Sequence, residues 1–399
     1  MCGAENTTPL AGRPSDGLTP GLGLYSDPII NLDHGDPTIF KPYWMRSRDQ
    51  LVVSGSELMS YFSRGGHPCW FMEPDFEKSV KRLHGLVGNA VSEGRYLVVG
   101  TGSSQLYLAS LYALCSPDQP HPVSVVCAAP YYSSYAEATT FLKSSLFKWE
   151  GDANAFDKDG PYIELVTSPN NPDGTTRNPV VDRGGNLIHD LAYYWPHYTP
   201  ITYCADHDIM LFTLSKCTGH AGTRIGWAIV KNEQVAGRMV KYLELSSIGV
   251  SKESQLRAAR ILGAVCNEIE APPGPNLKFF DFAKLLLSER WGKLRQAVKR
   301  SGLFTVSEFP LAYCLFFREY TGSHPGFVWM TCKDKNLDCS GLLREQRILT
   351  RDGRRFGSDA SCSRVSMMSK DEEFDVFLER LAKVKPPEKS NACNGLLQL

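Results

Sequence analysis

This sequence lacks the features that mark several large classes of protein. Its 43 lysine and arginine residues balance its 43 aspartate and glutamate residues, so its charge favours neither nucleic acid nor an anionic membrane. No apolar run approaches the roughly 18 residues of a membrane-spanning helix. Residues 1–27 are rich in Gly, Pro, Thr and Ser without an apolar centre, which predicts a disordered leader rather than a signal or transit peptide. We therefore expect neither nucleic acid nor a membrane as a partner.

The sequence also lacks a cysteine framework. Twelve cysteines are present, but no two are spaced as a Cys-x-x-Cys pair. Some lie inside apolar runs, such as Cys127 and Cys314, where free cysteine behaves as a small hydrophobic residue. This distribution disfavours a metal site or a set of disulfides and suits a reducing compartment, so we expect a cytoplasmic protein with no metal.

What is present indicates an α/β protein. Over residues 73–230, helical segments alternate with short apolar runs that are typical of buried strands, a pattern that favours a mostly parallel sheet covered by helices. Ligands of such sheets bind at the carboxyl ends of the strands. The predicted strands cover residues 96–99, 123–127, 163–166, 187–188, 209–214 and 225–230.

The second half of the chain has a different pattern. One long helix is predicted over residues 233–268, a Pro-rich break follows at 271–275, and a second long helix covers 277–301. Strand-like residues 311–317 and 363–367 and a closing helix at 371–384 complete a smaller α+β domain. The predicted organisation is a leader (1–27), an N-terminal segment (28–72), a large domain (73–270), a small domain (271–385) and a flexible tail (386–399).

Lys216 is the most informative residue. It follows the apolar run 209–214 and precedes small residues and Arg224. A lysine at the end of a buried strand is poorly solvated, which favours the neutral amine that forms Schiff bases with aldehydes. Small neighbours leave room for a flat ring, and Arg224 suits a phosphate, so the segment predicts pyridoxal 5'-phosphate (PLP). An ordinary strand end with a surface lysine is the alternative.

Polar or aromatic residues follow other predicted strands. Residues 100–105, Gly-Thr-Gly-Ser-Ser-Gln, form a glycine-rich turn that enters a helix and suits phosphate, although Gln105 replaces the third glycine of a dinucleotide fingerprint. Tyr131 and Tyr132 are placed to stack on a planar ligand. Asp190 would be costly at a buried strand end unless it is paired, and a protonated pyridine nitrogen would pair with it. A plain turn, a core tyrosine pair and a helix-capping aspartate are the alternatives.

Six stretches together show a resemblance to a known family. The chain resembles the fold-type-I PLP enzymes, and most of all the plant tryptophan–pyruvate aminotransferases that are related to alliinase. The resemblance covers about residues 31–384 and implies a large domain with a mostly parallel sheet and a smaller α+β domain. The stretches are residues 31–38, 58–62, 69–71, 168–174, 192–198 and 216–227.

The resemblance implies a role for each site residue. Lys216 would bind PLP covalently and act as the catalytic base, Asp190 would face the pyridine nitrogen, and Arg364 would bind the substrate carboxylate. Arg351, Arg354 and Arg355 are the alternatives for that last role, but they are predicted to form a solvated basic turn instead. Asn171 and Tyr193 would contact the ring oxygen of the cofactor, and Tyr132 would stack on the ring face. The residues implied at the phosphate are Ser103, Ser104, Ser215 and Arg224, with Gln105 and Thr213 nearby. Tyr61 would reach the phosphate from a neighbouring subunit.

The implied reaction is transfer of the amino group of L-tryptophan to pyruvate or another 2-oxo acid, giving indole-3-pyruvate, an auxin precursor. The implied assembly is a homodimer with shared active sites, to which residues 28–72 contribute. A PLP-dependent C–S lyase of the alliinase type is the nearest alternative. A nicotinamide oxidoreductase is disfavoured by the incomplete glycine fingerprint, and a non-catalytic binding protein by the presence of Lys216, Asp190 and Arg364.

Overall fold

The computed structural model describes residues 28–46, 53–63 and 68–385. The predicted leader, 1–27, and the predicted tail, 386–399, lie outside the described residues. Within these residues, no helix is both long and apolar enough to span a membrane.

A seven-stranded sheet forms the centre of the large domain. The strands lie side by side in the order Tyr96–Gly100, Gly226–Val230, Ile209–Thr213, Asn186–Asp190, Tyr162–Thr167, Val123–Cys127 and Phe147–Asp152. Only Gly226–Val230 runs antiparallel to its neighbours, which confirms the predicted mostly parallel sheet. The edge strand Phe147–Asp152 was not predicted, because its sequence Phe-Lys-Trp-Glu-Gly-Asp has no continuous apolar run.

Helices cover this sheet. The long helix predicted over residues 233–268 is wrong, because the chain forms two helices, Glu233–Ser247 and Lys252–Glu270. Between them, Ile248 and Gly249 adopt left-handed backbone angles, with φ of 54° and 98°. Such a conformation ends a helix, and the Ser251 side chain then caps the next helix by accepting a hydrogen bond from the Ser254 amide. The other helices of this domain are Lys41–Trp44, Pro74–Val87, Gly102–Leu114, Ser133–Phe141 and Leu214–Cys217.

The small domain is built on an antiparallel sheet of four strands. Their order is Arg351–Asp352, Cys362–Ser366, Phe327–Cys332 and Phe304–Val306. The helices Phe279–Ser301, Cys339–Glu345 and Asp371–Leu381 belong to the same part of the chain. The strand predicted over residues 311–317 is only Ala312–Cys314, since the chain turns back at once into Glu319–Thr321. Ile30–Asn31 joins this domain by pairing with Ile348–Leu349.

The two domains have separate hydrophobic cores that share one helix. Phe279 and Leu287, in the first half of Phe279–Ser301, pack in the core of the large domain. Trp291 and Leu294, in its second half, pack in the core of the small domain. The helix therefore contributes to both domains, and the space between them lies beside the carboxyl ends of the parallel strands.

Candidate active site

A cavity of about 440 Å³ opens where the carboxyl ends of the parallel strands face the small domain. Strand ends supply Thr167, Asp190 and Thr213, as expected for an α/β sheet. Most of the predicted site residues line this single cavity: Ser103, Ser104, Tyr132, Asn171, Asp190, Tyr193, Thr213, Ser215, Lys216, Arg224 and Arg364.

Lys216 lies on the short helix Leu214–Cys217 directly after a buried strand. The Thr213 side chain caps this helix by accepting a hydrogen bond from the Ser215 amide. The Lys216 Nζ donates a hydrogen bond to the Gly35 carbonyl at 2.6 Å and lies 5.6 Å from the ring centre of Tyr193. Burial, together with the nearby charge of Arg364, lowers the pKa of Lys216 to about 7. A large share of the amine is therefore neutral and nucleophilic near neutral pH.

Asp190 places a buried carboxylate at the base of the cavity. Its Oδ2 accepts a hydrogen bond from the Tyr135 hydroxyl at 2.6 Å, and its Oδ1 accepts one from the Ala192 amide at 3.0 Å. Burial raises the pKa of Asp190, while both hydrogen bonds oppose that rise by stabilising the ionised form. The adjacent His189 lies on the opposite face of the strand, as alternation along a strand requires, and it stacks on His207. A positively charged ring nitrogen would pair with Asp190.

Tyr193 offers the clearest test of whether a ligand fits here. Its hydroxyl is buried and has no hydrogen-bond partner among the described residues. Burial raises the pKa of Tyr193 well above its ordinary value, so the hydroxyl is a neutral donor. A buried hydroxyl without a partner is costly, and a ring oxygen of PLP beside Asn171 and Tyr193 would satisfy it.

A second group of residues forms a site suited to phosphate. Ser103 and Ser104 lie in the first turn of the helix Gly102–Leu114, where backbone amides are free to bind an anion. A Cβ on Gly102 would lie 2.7 Å from the Arg224 guanidinium, and one on Gly226 would lie 2.7 Å from the Ser103 amide. These two glycines therefore allow the arginine and the helix start to approach each other closely.

Arg364 forms the opposite end of the cavity. Its Nη1 donates to Asn171 Oδ1 at 3.0 Å, and its Nη2 donates to the Asp33 carbonyl at 2.6 Å. The guanidinium carbon lies 4.0 Å from the ring centre of Phe327. Burial, together with the charge of Arg351, lowers the pKa of Arg364 to about 10, so the group stays cationic at neutral pH. A buried guanidinium held by neutral acceptors can bind a substrate carboxylate.

The expected solvated basic turn is wrong for Arg351 and right for Arg354 and Arg355, whose side chains are 64% and 48% exposed. Arg351 is only 15% exposed and forms an ion pair with Asp33, and both Arg351 and Arg355 line the cavity. Arg354 is exposed and pairs with Asp352, as predicted. The difference arises because Arg351 lies opposite Arg364 on a neighbouring antiparallel strand, a pairing that the sequence alone does not reveal.

Two predicted cofactor residues lie away from the cavity, and several lining residues had not been assigned a role. Gln105 accepts a hydrogen bond from the Thr101 amide and lines a neighbouring cavity instead. Tyr61 is exposed and packs near Trp70, so its contact with a second subunit stays a prediction. The lining residues without a predicted role include His34, Gly35, Glu137 and Phe327. Of these four, only His34 and Gly35 fall in a stretch that carries the family resemblance, residues 31–38.

Comparison with known proteins places this geometry in a family. The family model described as allinase matches residues 30–385. The chain is 48% identical to tryptophan aminotransferase-related protein 2 of Oryza sativa subsp. japonica, over 96% of this chain and 77% of the relative. It is 50% identical to tryptophan aminotransferase-related protein 2 of Arabidopsis thaliana, over 89% and 81%. Alliin lyase 1 of Allium sativum is 36% identical, over 88% and 74%.

Solved structures agree on the fold. An aspartate aminotransferase of Thermus thermophilus superimposes with a TM-score of 0.63 at 18% identity, covering 90% of this chain and 92% of that one. The similarity confirms the predicted fold type I. On the family match and the identity to its relatives, this chain belongs to the allinase family, which it shares with the tryptophan aminotransferase-related proteins.

Proposed function

We propose that the protein is a PLP-dependent aminotransferase that transfers the amino group of L-tryptophan to a 2-oxo acid such as pyruvate. The observation that carries the proposal is that Lys216, Asp190 and Arg364 face one cavity, where burial lowers the pKa of Lys216 to about 7 and Arg364 stays cationic. The names of the most similar relatives support tryptophan as the donor. The product would be indole-3-pyruvate, and we propose a role in auxin synthesis in the cytoplasm.

The residues of the cavity divide the chemistry among them. Bound PLP supplies an electron sink for the pair of electrons released when the Cα–H bond of the amino acid breaks. Arg364 binds the substrate carboxylate and so fixes the orientation of Cα. The Lys216 amine, with its lowered pKa, would move a proton from Cα of the donor to the cofactor in the first half of the reaction, and from the cofactor to Cα of the acceptor in the second half. Asp190 keeps a proton on the ring nitrogen, and Tyr193 donates to the ring oxygen.

A C–S lyase is the second candidate, because alliin lyases belong to the same family and are 36% identical to the chain. The same lysine and aspartate would then serve elimination of a β-substituent rather than transfer of the amino group. The distinguishing experiment incubates the PLP-loaded protein with tryptophan plus pyruvate, and separately with an S-alkylcysteine sulfoxide. We expect indole-3-pyruvate and alanine in the first reaction and no pyruvate in the second. Pyruvate release from the sulfoxide without transamination would instead establish the lyase.

We also propose a homodimer with shared active sites. Exposed apolar side chains support it, since Met59, Tyr61 and Phe62 lie together in the chain and are 86%, 58% and 61% exposed. Light scattering of the purified protein, at twice the mass of one chain, would agree with this proposal, whereas the mass of a single chain would contradict it.

A further inference from the structure

The four arginines that line the cavity fall into two pairs. Among the described residues, Arg224 and Arg364 have no carboxylate partner, and their hydrogen bonds go to neutral oxygens. Arg351 and Arg355 are each paired with a carboxylate, Asp33 for the first and Glu137 for the second. Because a carboxylate cancels the charge of its partner, only the first two arginines present free positive charge to a ligand.

The two neutralised arginines differ in how firmly they are held. Arg351 is 15% exposed, and its Nε and Nη2 donate to the two different carboxylate oxygens of Asp33, at 2.5 and 3.3 Å. Arg355 is 48% exposed, and its Nε and Nη2 both donate to a single oxygen of Glu137, at 3.2 and 2.6 Å. The pair Glu137–Arg355 is therefore solvated and weakly held, whereas Asp33–Arg351 is mostly buried.

The backbone on both sides of the Glu137–Arg355 pair is fixed. Glu137 lies on the helix Ser133–Phe141 of the large domain, and Arg355 lies on the helical turn Gly353–Phe356 of the small domain. The Tyr131 amide donates to the Phe356 carbonyl at 2.9 Å, which ties the turn to the large domain. Arg355 thus stays beside the cavity whether or not it is paired with Glu137, and it is the cation that a second carboxylate of a ligand could reach.

We propose that Glu137 is a specificity-determining residue, which neutralises Arg355 and so restricts the cavity to substrates with a single carboxylate. The proposal rests on the proposed function, in which Arg364 binds the carboxylate that all substrates share. A dicarboxylic substrate, such as a 2-oxo diacid, would bring its second carboxylate toward Glu137 and would be repelled. Without the Glu137 charge, Arg355 would bind that second carboxylate, since arginine and carboxylate form charge-assisted hydrogen bonds.

The experiment measures ligand binding to the PLP-loaded protein by calorimetry. Maleate serves as an unreactive dicarboxylate, and propionate serves as the matching monocarboxylate. In Glu137→Gln, the dissociation constant of maleate should fall about fivefold, the size expected for one half-exposed ion pair, while that of propionate stays unchanged. In Arg355→Gln, which leaves Glu137 charged without its partner, maleate should bind more weakly than to the wild type. The gain should be absent from the double variant Glu137→Gln/Arg355→Gln.

A matched control removes a similar charge elsewhere. Glu253 forms an ion pair with Arg257 at similar exposure, 54% and 47%, on the helix Lys252–Glu270, and neither residue lines the cavity. Glu253→Gln should leave the binding of both anions unchanged. Unchanged maleate binding in Glu137→Gln, or a gain that persists in the double variant, would overturn the proposal.

The same variants separate this proposal from the proposed function. If the wild-type protein does not transaminate tryptophan, the proposed function is wrong. The maleate measurement still decides the role of Glu137 in that case, because calorimetry needs no turnover. Where the wild type does transaminate, kcat/KM for 2-oxoglutarate relative to pyruvate should rise about fivefold in Glu137→Gln. An unchanged ratio would show that Glu137 does not select substrates.

Discussion

The two ends of the cavity are built in different ways. The phosphate end is formed by residues that follow strand ends of one sheet, such as Ser103 and Ser215, and by Arg224, close behind the lysine. The carboxylate end is formed by Arg364, which bonds to Asn171 and Asp33 over separations of 193 and 331 residues. One end is fixed by local turns in a single domain, and the other depends on how two domains pack. The two ends should therefore respond separately to mutation.

Lys216, between the two ends, gives the largest expected effect. Replacing it by alanine removes both the covalent anchor and the base, so turnover should fall by about 10²–10⁴-fold or more. The visible absorbance of the lysine-bound cofactor should disappear as well. Spectroscopy and a tryptophan–pyruvate assay on the same preparation provide the test. Turnover that survives in this variant would reject Lys216 as the base.

Arg364 tests the carboxylate end alone. Arg364→Ala removes charge-assisted hydrogen bonds of about 1.5–3 kcal/mol, so KM for the amino acid should rise roughly 10- to 100-fold. The affinity for PLP should stay close to that of the wild type, because the phosphate end is intact. Steady-state kinetics at saturating cofactor and a cofactor titration measure the two effects. An unchanged KM would remove Arg364 from the substrate site.

At the phosphate end, Arg224 is the counterpart of Arg364. Arg224→Ala should weaken PLP binding roughly tenfold, through loss of a charged contact to the phosphate. Once the protein is saturated with cofactor, KM for tryptophan should change little. If Arg224→Ala and Arg364→Ala each change both the PLP affinity and the KM for tryptophan, the two ends of the cavity are coupled and do not respond separately to mutation.

The pH dependence of stability affects folding rather than turnover, and it sharpens the role of the shared lysine. In cofactor-free protein the pKa of Lys216 is about 7, against an ordinary value of 10.5. Between these values the unfolded chain binds more protons than the folded chain at this site. The free energy of unfolding should therefore rise with pH across this window and be independent of Lys216 protonation below it.

The variant Lys216→Met provides the reference, because it cannot be protonated. The difference in unfolding free energy between wild type and this variant, measured in urea from pH 7 to pH 9.5, should change in favour of the wild type as the pH rises. A constant difference would mean that the lysine has an ordinary pKa.

The sequence predicted the phosphate end and the central sheet well, for a physical reason. Apolar runs predict strands of a buried parallel sheet, and the residues after them must meet at one edge. Lys216, Asp190 and Ser103 could therefore be placed together before any coordinates. The break at Ile248 and Gly249 was missed, because helical periodicity continues across it and only the left-handed backbone ends the helix.

By itself, then, the sequence determined the α/β class and the strand-end residues of the site, since both follow from local pattern and chain order. Only the tertiary structure decided which arginines are buried and which carboxylates they pair with. Nothing near Arg351 and Arg355 in the sequence identifies their partners, yet Asp33 and Glu137 pair with them from distant parts of the chain. Such pairing depends on how the two domains pack, and chain spacing carries no information about it.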